Sequence, residues 1–192
     1  MTNIVKSRHL QKGNMKFKIF LILMLLILTT PPSPGFCKEI IRSIDGVVSR
    51  VVDGDTVHVQ SDGTKLKIRL YGIDAPETEK INRRTGRVSK PGQPYGEESQ
   101  NALHGKVGCQ RVRVDVVDID KYKRLVSIIW MNDRNINKEM VSEGYGWAYR
   151  KYLSAPYASE FIRVEEHARA KRLGLWREYD PEPPWEFRKL QR

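Results

Sequence analysis

Five polar positions in this chain combine the residue types that phosphate chemistry requires. Asp55 closes an Asp53-Gly54-Asp55 string ahead of Thr56, and Asp74 and Glu77 bracket Ala75-Pro76. Arg69 stands between Ile68 and Leu70, and Arg124 ends the string Asp120-Lys121-Tyr122-Lys123-Arg124. Hard cations such as Ca²⁺ take oxygen ligands, and two carboxylates with a backbone carbonyl and waters make a workable site. Arginine supplies a fixed fork of donors that matches phosphate oxygens. A carboxylate beside both can orient or deprotonate a water. The set describes metal-assisted hydrolysis of a phosphodiester. Taken singly, each residue has a plainer reading. Asp-Gly-Asp is a common turn, acids near proline often initiate one, Glu77 alone is a surface acid or helix start, and lone arginines are usually strand-edge charges. His58, His104 and His167 are scattered without ligand spacing, so zinc is not expected.

These residues need a frame, and the hydrophobic pattern supplies one. Val57 and Val59 alternate with Thr56, His58 and Gln60, and Leu66, Ile68 and Leu70 alternate with Lys65, Lys67 and Arg69. That is the period of half-buried strands, and Ser61-Asp62-Gly63 between them signals a hairpin. By the same alternation, the Arg69 side chain leaves the face that Ile68 and Leu70 occupy. Further strands are expected at Val112, Val114 and Val116 and at Val126, Ile128 and Trp130. Leu125, Ile129 and Met131 make the last one apolar on both faces and place it inside the sheet.

Three helices fit the remainder. Ala102, Leu103 and Val107 mark the first. The second, capped by Asn137, carries Met140 and Val141 and stops at Gly144. The third shows an apolar stripe through Tyr157, Phe161, Val164 and Ala168. The expected fold is a β-barrel with helices (α+β): a five-stranded OB-fold with three α-helices, not a parallel α/β sheet. The stretch 79–94 reads as a long polar loop carrying Lys80, Arg83, Arg84, Arg87 and Lys90. It is either a solvated face or a flap that gathers nucleic-acid phosphates. Beyond Trp176, the prolines at 181, 183 and 184 read as a tail, in which Trp185 and Phe187 either dock on the barrel or stack on nucleic acid.

Three strings carry a resemblance: Val52-Asp53-Gly54-Asp55-Thr56-Val57, Ile68-Arg69-Leu70-Tyr71-Gly72-Ile73-Asp74-Ala75-Pro76-Glu77 and Asp120-Lys121-Tyr122-Lys123-Arg124. In order and spacing they resemble the staphylococcal nuclease (thermonuclease) family over about residues 46–176. The resemblance implies an OB barrel with three helices. It also implies Ca²⁺ held by Asp55, Asp74 and the Ala75 carbonyl, Glu77 as the acid that positions or activates water, and Arg69 and Arg124 as phosphate-binding, charge-stabilising arginines. It further matches Lys121 and Tyr122 to positions near a terminal phosphate or the substrate base. Tyr149 and Tyr152 are matched as base-stacking candidates, with packing on the third helix as the alternative. One departure stands out: the family often has glycine before its second arginine, where this chain has Lys123. The implied activity is a nuclease cutting DNA and RNA with little sequence preference and leaving 3′-phosphates. The alternatives are an OB-fold module that binds single strands without cutting, against which retention of all five positions argues, and a surface protein whose nuclease-like domain is incidental.

Composition agrees with a nucleic-acid partner. The 192 residues carry 34 Lys+Arg against 23 Asp+Glu, a net charge of +11. Five of the basic residues (Lys6, Arg8, Lys12, Lys16 and Lys18) precede an apolar run over 19–28, which three prolines then end. A membrane span needs about 20 apolar residues, so this shorter run fits a signal peptide, with an uncleaved anchor as the alternative. Translation starts at Met1 or Met15, and cleavage is expected before Lys38. The expected layout is a signal peptide over 1–37, a nuclease-like domain over 38–178 and a tail over 179–192, in a secreted or periplasmic protein. Membrane contact is expected only during export or through that N-terminal segment, and no stable protein partner is expected. Cleavage after Cys37 leaves Cys109 alone, so no internal disulfide is expected in the mature chain.

Overall fold

The computed structural model describes residues 38–191; the predicted signal segment lies outside them. One long strand organises the sheet. β1 (Arg42–Asp53) pairs antiparallel through its first half with β7 (Arg111–Ile119) and through its second half with β2 (Thr56–Ser61). Irregularities in the β1–β2 register, between Val48 and Arg50 and between Val51 and Asp53, are the kind of bulge that bends a strand enough to serve two neighbours. β2 turns into β3 (Thr64–Leu70) through Asp62 and Gly63, both with positive φ, as the hairpin signal predicts. β8 (Leu125–Met131) pairs antiparallel with β7 and parallel with β3, which closes a five-stranded barrel. The short β9 (Arg134–Asn135) extends the sheet beyond β8.

Alternation fills the barrel as expected. Val48, Val57, Val59, Ile68, Leu70, Val112, Val114 and Ile129 are buried together. Three helices cover this core: α1 (Gly96–Val107) through Leu103 and Val107, α2 (Ile136–Ser142) through Met140 and Val141, and α3 (Tyr157–Ala170) through Phe161. A fully buried Leu or Phe contributes roughly 1.5–3 kcal/mol, so this apolar set is the main support of the fold.

The structure departs from the sequence reading in four places. Asn135, not Asn137, caps α2, accepting from the Lys138 N–H at 3.0 Å. Asn137 is fully buried and ties three backbone groups instead: it accepts from Ile129 N–H and donates to the carbonyls of Tyr71 and Ser127, each at 2.9 Å. The 79–94 stretch is not wholly loop, since β5 (Lys80–Ile81) and β6 (Val88–Lys90) form a small hairpin. Two-residue β4 (Ile73–Asp74) pairs with β10 (Trp147–Ala148), a pairing too short to leave an alternation signal. The tail carries a fourth helix, α4 (Pro184–Leu190). Its sequence signal was present: Pro184 sits at the first helical position, where proline lacks only an N–H that would be unbonded anyway.

Candidate active site

The site forms where β1, β3 and β4 end together. Gly54 makes the β1–β2 turn tight: a side chain there would strike Ser99 on α1, whose Oγ lies only 1.8 Å from the place a Cβ would take. This close approach holds Asp55 under the sheet. Its Oδ1 accepts from Thr56 Oγ1 at 2.9 Å, and its Oδ2 accepts from the Ala75 N–H at 2.9 Å. Arg69 faces Thr56 across the β2–β3 ladder, and its guanidinium pairs with Asp55 and, at 2.6 Å, with Asp74 Oδ1. Asp74 is fully buried on β4, whose partner strand β10 is fixed by the buried Glu165 of α3 accepting from Ala148 N–H at 3.1 Å. Glu77 follows on an extended segment clamped by Gln93. The Gln93 side-chain oxygen accepts from Glu77 N–H at 3.1 Å, and the Gln93 backbone N–H donates to the Glu77 carbonyl at 2.8 Å.

The electrostatics follow from this burial. Desolvation pushes the Asp55 carboxyl up to about 6 despite Arg69, with Asp74 adding to the rise. Burial also works to lower the Arg69 pKa, but Asp55 and Asp74 outweigh it and hold the guanidinium more firmly charged. The Tyr149 hydroxyl pKa is raised by burial and by the charge of Asp74.

Arg124 stands apart from this cluster. Leu125 pairs with Ile68 and Val126 with Arg69, so the Arg124 backbone adjoins β3. Its guanidinium is turned onto Asp120, with Nε donating at 2.7 Å, and lies 5.5 Å from the Tyr122 ring. Lys121 and Tyr122 share this exposed turn, with Lys121 Nζ 5.1 Å from the same ring. Lys123 adopts φ 59°, the left-handed conformation that favours glycine. Asp120 keeps the turn in shape by also accepting from the N–H groups of Tyr122 and Arg124. Partial burial works to raise the Asp120 pKa, yet these donors hold it below the usual carboxylate range. Tyr149 and Tyr152 pack edge to face at 4.9 Å, and Tyr152 is exposed.

Sequence reasoning missed Arg188. Its Nη1 donates to Glu77 Oε1 at 2.7 Å and to Asp74 Oδ1 at 3.1 Å, and its Nη2 donates to Asp74 Oδ2 at 2.6 Å. No periodicity links it to partners more than a hundred residues away; only Trp185 and Phe187 hinted that the tail docks. Asp53 was also left without a role. It accepts from Thr78 and Lys80, and Lys80 further donates to the Val52 carbonyl at 2.9 Å, which ties the hairpin to the end of β1.

Among the described residues no group of three or more His, Cys, Asp or Glu side chains is arranged to hold a metal ion. Asp55 and Asp74 with the Ala75 carbonyl are a smaller, all-oxygen set that suits a hard cation completed by water. Within that set Asp74 already meets positive charge, from Arg69 and from the tail. Both Asp74 oxygens and one Glu77 oxygen converge on the single charged group of Arg188.

Comparison with known proteins agrees with this geometry. Residues 67–178 match the family described as Staphylococcal nuclease homologue. The chain is 32% identical over 176 residues to an uncharacterized endonuclease of Haemophilus influenzae, covering 91% of this chain and 87% of that one. It is 29% identical over 178 residues to a micrococcal nuclease of Shigella flexneri, covering 88% and 90%. It is 37% identical over 153 residues to the protein ParB of Escherichia coli, covering 75% and 78%. This chain belongs to the staphylococcal nuclease family. The matched stretch includes Arg69, Asp74, Ala75, Glu77, Arg124 and Tyr149; α4 and Arg188 lie beyond it.

Proposed function

We propose that this protein is an exported, Ca²⁺-dependent nuclease that hydrolyses phosphodiester bonds of DNA and RNA with low sequence specificity and leaves 3′-phosphates. The observation that carries the reading is the meeting of buried Asp55 and Asp74 on Arg69, with Glu77 held beside them by Gln93. Asp55, Asp74 and the Ala75 carbonyl would hold the cation, which when bound neutralises charge on the scissile phosphate. Arg69, oriented by both carboxylates, donates to phosphate oxygens, and Arg124 donates from the adjoining turn. Glu77 orients a water and accepts its proton. The water oxygen bonds phosphorus in line, the P–O5′ bond breaks, and the departing 5′ oxygen takes up a proton. Tyr149 and Tyr152 offer ring faces for a base, and Lys121 and Tyr122 lie at the edge of the substrate path.

Support for export comes from the charged and apolar pattern of the first 37 residues. The deciding experiment incubates single-stranded DNA, duplex DNA and RNA with purified protein in Ca²⁺ or chelator, followed by end-group analysis. Cleavage that stops in chelator and yields 3′-phosphates is the expected outcome. Full activity in chelator would remove the metal from the mechanism, and binding without cleavage would make the chain a single-strand-binding module. N-terminal sequencing of released protein should begin near Phe36 or Lys38; an intact Met1 or Met15 in a membrane fraction would establish the anchor.

A further inference from the structure

The C-terminal helix occupies both halves of the site. At one end of α4, Arg188 engages both oxygens of fully buried Asp74 and one oxygen of Glu77. At the other, the Trp185 ring stacks on Tyr149, with centroids 5.4 Å apart and planes 5° from parallel, and meets Trp147 edge-on at 6.4 Å. The Gln93 side chain, which clamps Glu77, also donates to the Glu182 carbonyl at 2.9 Å, fixing the approach to α4. The connection from the barrel runs over the surface: residues 177–180 are exposed, Tyr179 completely so.

These contacts exclude other occupants. A Ca²⁺ ion lies 2.3–2.6 Å from its oxygen ligands. Arg188 Nη2 sits 2.6 Å from Asp74 Oδ2, so the guanidinium takes up the Asp74 oxygens such an ion would need. Two cations at that separation repel strongly in a buried setting. Trp185 likewise covers a face of Tyr149 that a substrate base would use.

We propose that α4 is an autoinhibitory latch in which Arg188 stands in for the divalent cation and Trp185 for the base, so that cation entry and latch closure are mutually exclusive. The proposal rests on the reading above that Asp74 ligates the metal. Coupling of this kind is reciprocal: the factor by which the latch weakens cation binding is the factor by which the cation opens the latch. α4 lies outside residues 67–178, the stretch matched to the family.

The test uses the full chain and Ca²⁺ alone, without nucleic acid. Calorimetric titration should show that Arg188→Gln binds Ca²⁺ at least tenfold more tightly than the parent. Lys189→Gln removes a neighbouring charge that, among the described residues, pairs with Glu186, and it should bind as the parent does. In the parent, hydrogen exchange across 184–190 should accelerate at saturating Ca²⁺. Unchanged exchange at saturation overturns the latch whatever the affinities, as does equal Ca²⁺ affinity in parent and Arg188→Gln, and both results leave the metal reading intact. Equal tightening in Lys189→Gln reduces the effect to net charge and also overturns it. Absence of Ca²⁺ binding in every form overturns the metal reading, and the latch falls with it.

Discussion

Asp120 makes no contact with the acids of the site, yet it aims one of the two arginines expected to meet the phosphate. It accepts from Arg124 Nε and from two backbone N–H groups of the turn that carries Arg124. Loss of a fixed donor to a developing oxyanion costs about 2.7–4 kcal/mol, or roughly 10²–10³ in rate, and that sets the expected loss for Arg124→Ala. Asp120→Asn should retain Arg124 but misplace it, lowering turnover about tenfold or more with little change in KM, as read by single-turnover cleavage beside a binding titration. Its effect on stability should depend on pH. The folded-state pKa of Asp120 is depressed, so its carboxylate contributes stability above the unfolded value near 3.9, and that contribution is lost as pH falls through the folded pKa. The stability gap between parent and Asp120→Asn should therefore close in acid, measured by urea unfolding across pH. At this scale the residue types were legible: Asp55, Arg69, Asp74 and Glu77 do meet. Arg188 was not legible, because a single arginine beyond a proline run has no periodicity to report its partner.

Elements were legible wherever an apolar period ran long enough. The alternation in β2, β3, β7 and β8 and the stripe of α3 were sufficient, whereas β4, β5, β9 and β10, at two residues each, cannot express a period. Two asparagines before α2 offered the same capping signal, and only the packing decides that Asn135 caps while Asn137 spans from α2 to β8 and Tyr71. Asn137→Ala strands the Ile129 N–H and the Tyr71 carbonyl, whereas the Ser127 carbonyl keeps its bond from the Tyr71 N–H. At about 1–3 kcal/mol for each unsatisfied group, it should cost at least about 2 kcal/mol, read as a fall in the urea midpoint at unchanged slope. The β5–β6 hairpin presents Arg83, Arg84 and Arg87, all exposed, on a connection pinned at its base by Lys80. If these arginines meet nucleic-acid phosphates, replacing all three with alanine weakens binding similarly across sequences. It also lowers the salt slope by about 2–3 units, with turnover at saturation retained. An unchanged salt slope would make the hairpin a solvated face.

The whole molecule places its charge, its barrel and its acids in one arrangement, and cation binding should therefore register globally. Two protein carboxylates suit an affinity of about 10⁻⁴–10⁻³ M. At ten to a hundred times that dissociation constant, binding to the folded state alone adds about 1.4–2.7 kcal/mol, which a thermal scan should show as a rise of several degrees. Asp74→Asn should fold, lose most of that rise and lose cleavage; an undiminished rise would move the cation elsewhere. The barrel itself carries a consequence in time. Asp55, Arg69, Asp74 and Glu77 are neighbours in the chain, but the turn that carries Arg124 is brought beside β3 by the parallel pairing of β3 with β8, which joins Ile68 to Leu125. Such a long-range pairing forms only after loop closure has brought distant segments together. A growing chain on the ribosome can thus display every acid of the site and still lack its second arginine. On the proposed role of Arg124, the site is complete only once this last barrel strand has paired, so competence to cut should arrive late in folding and in one step.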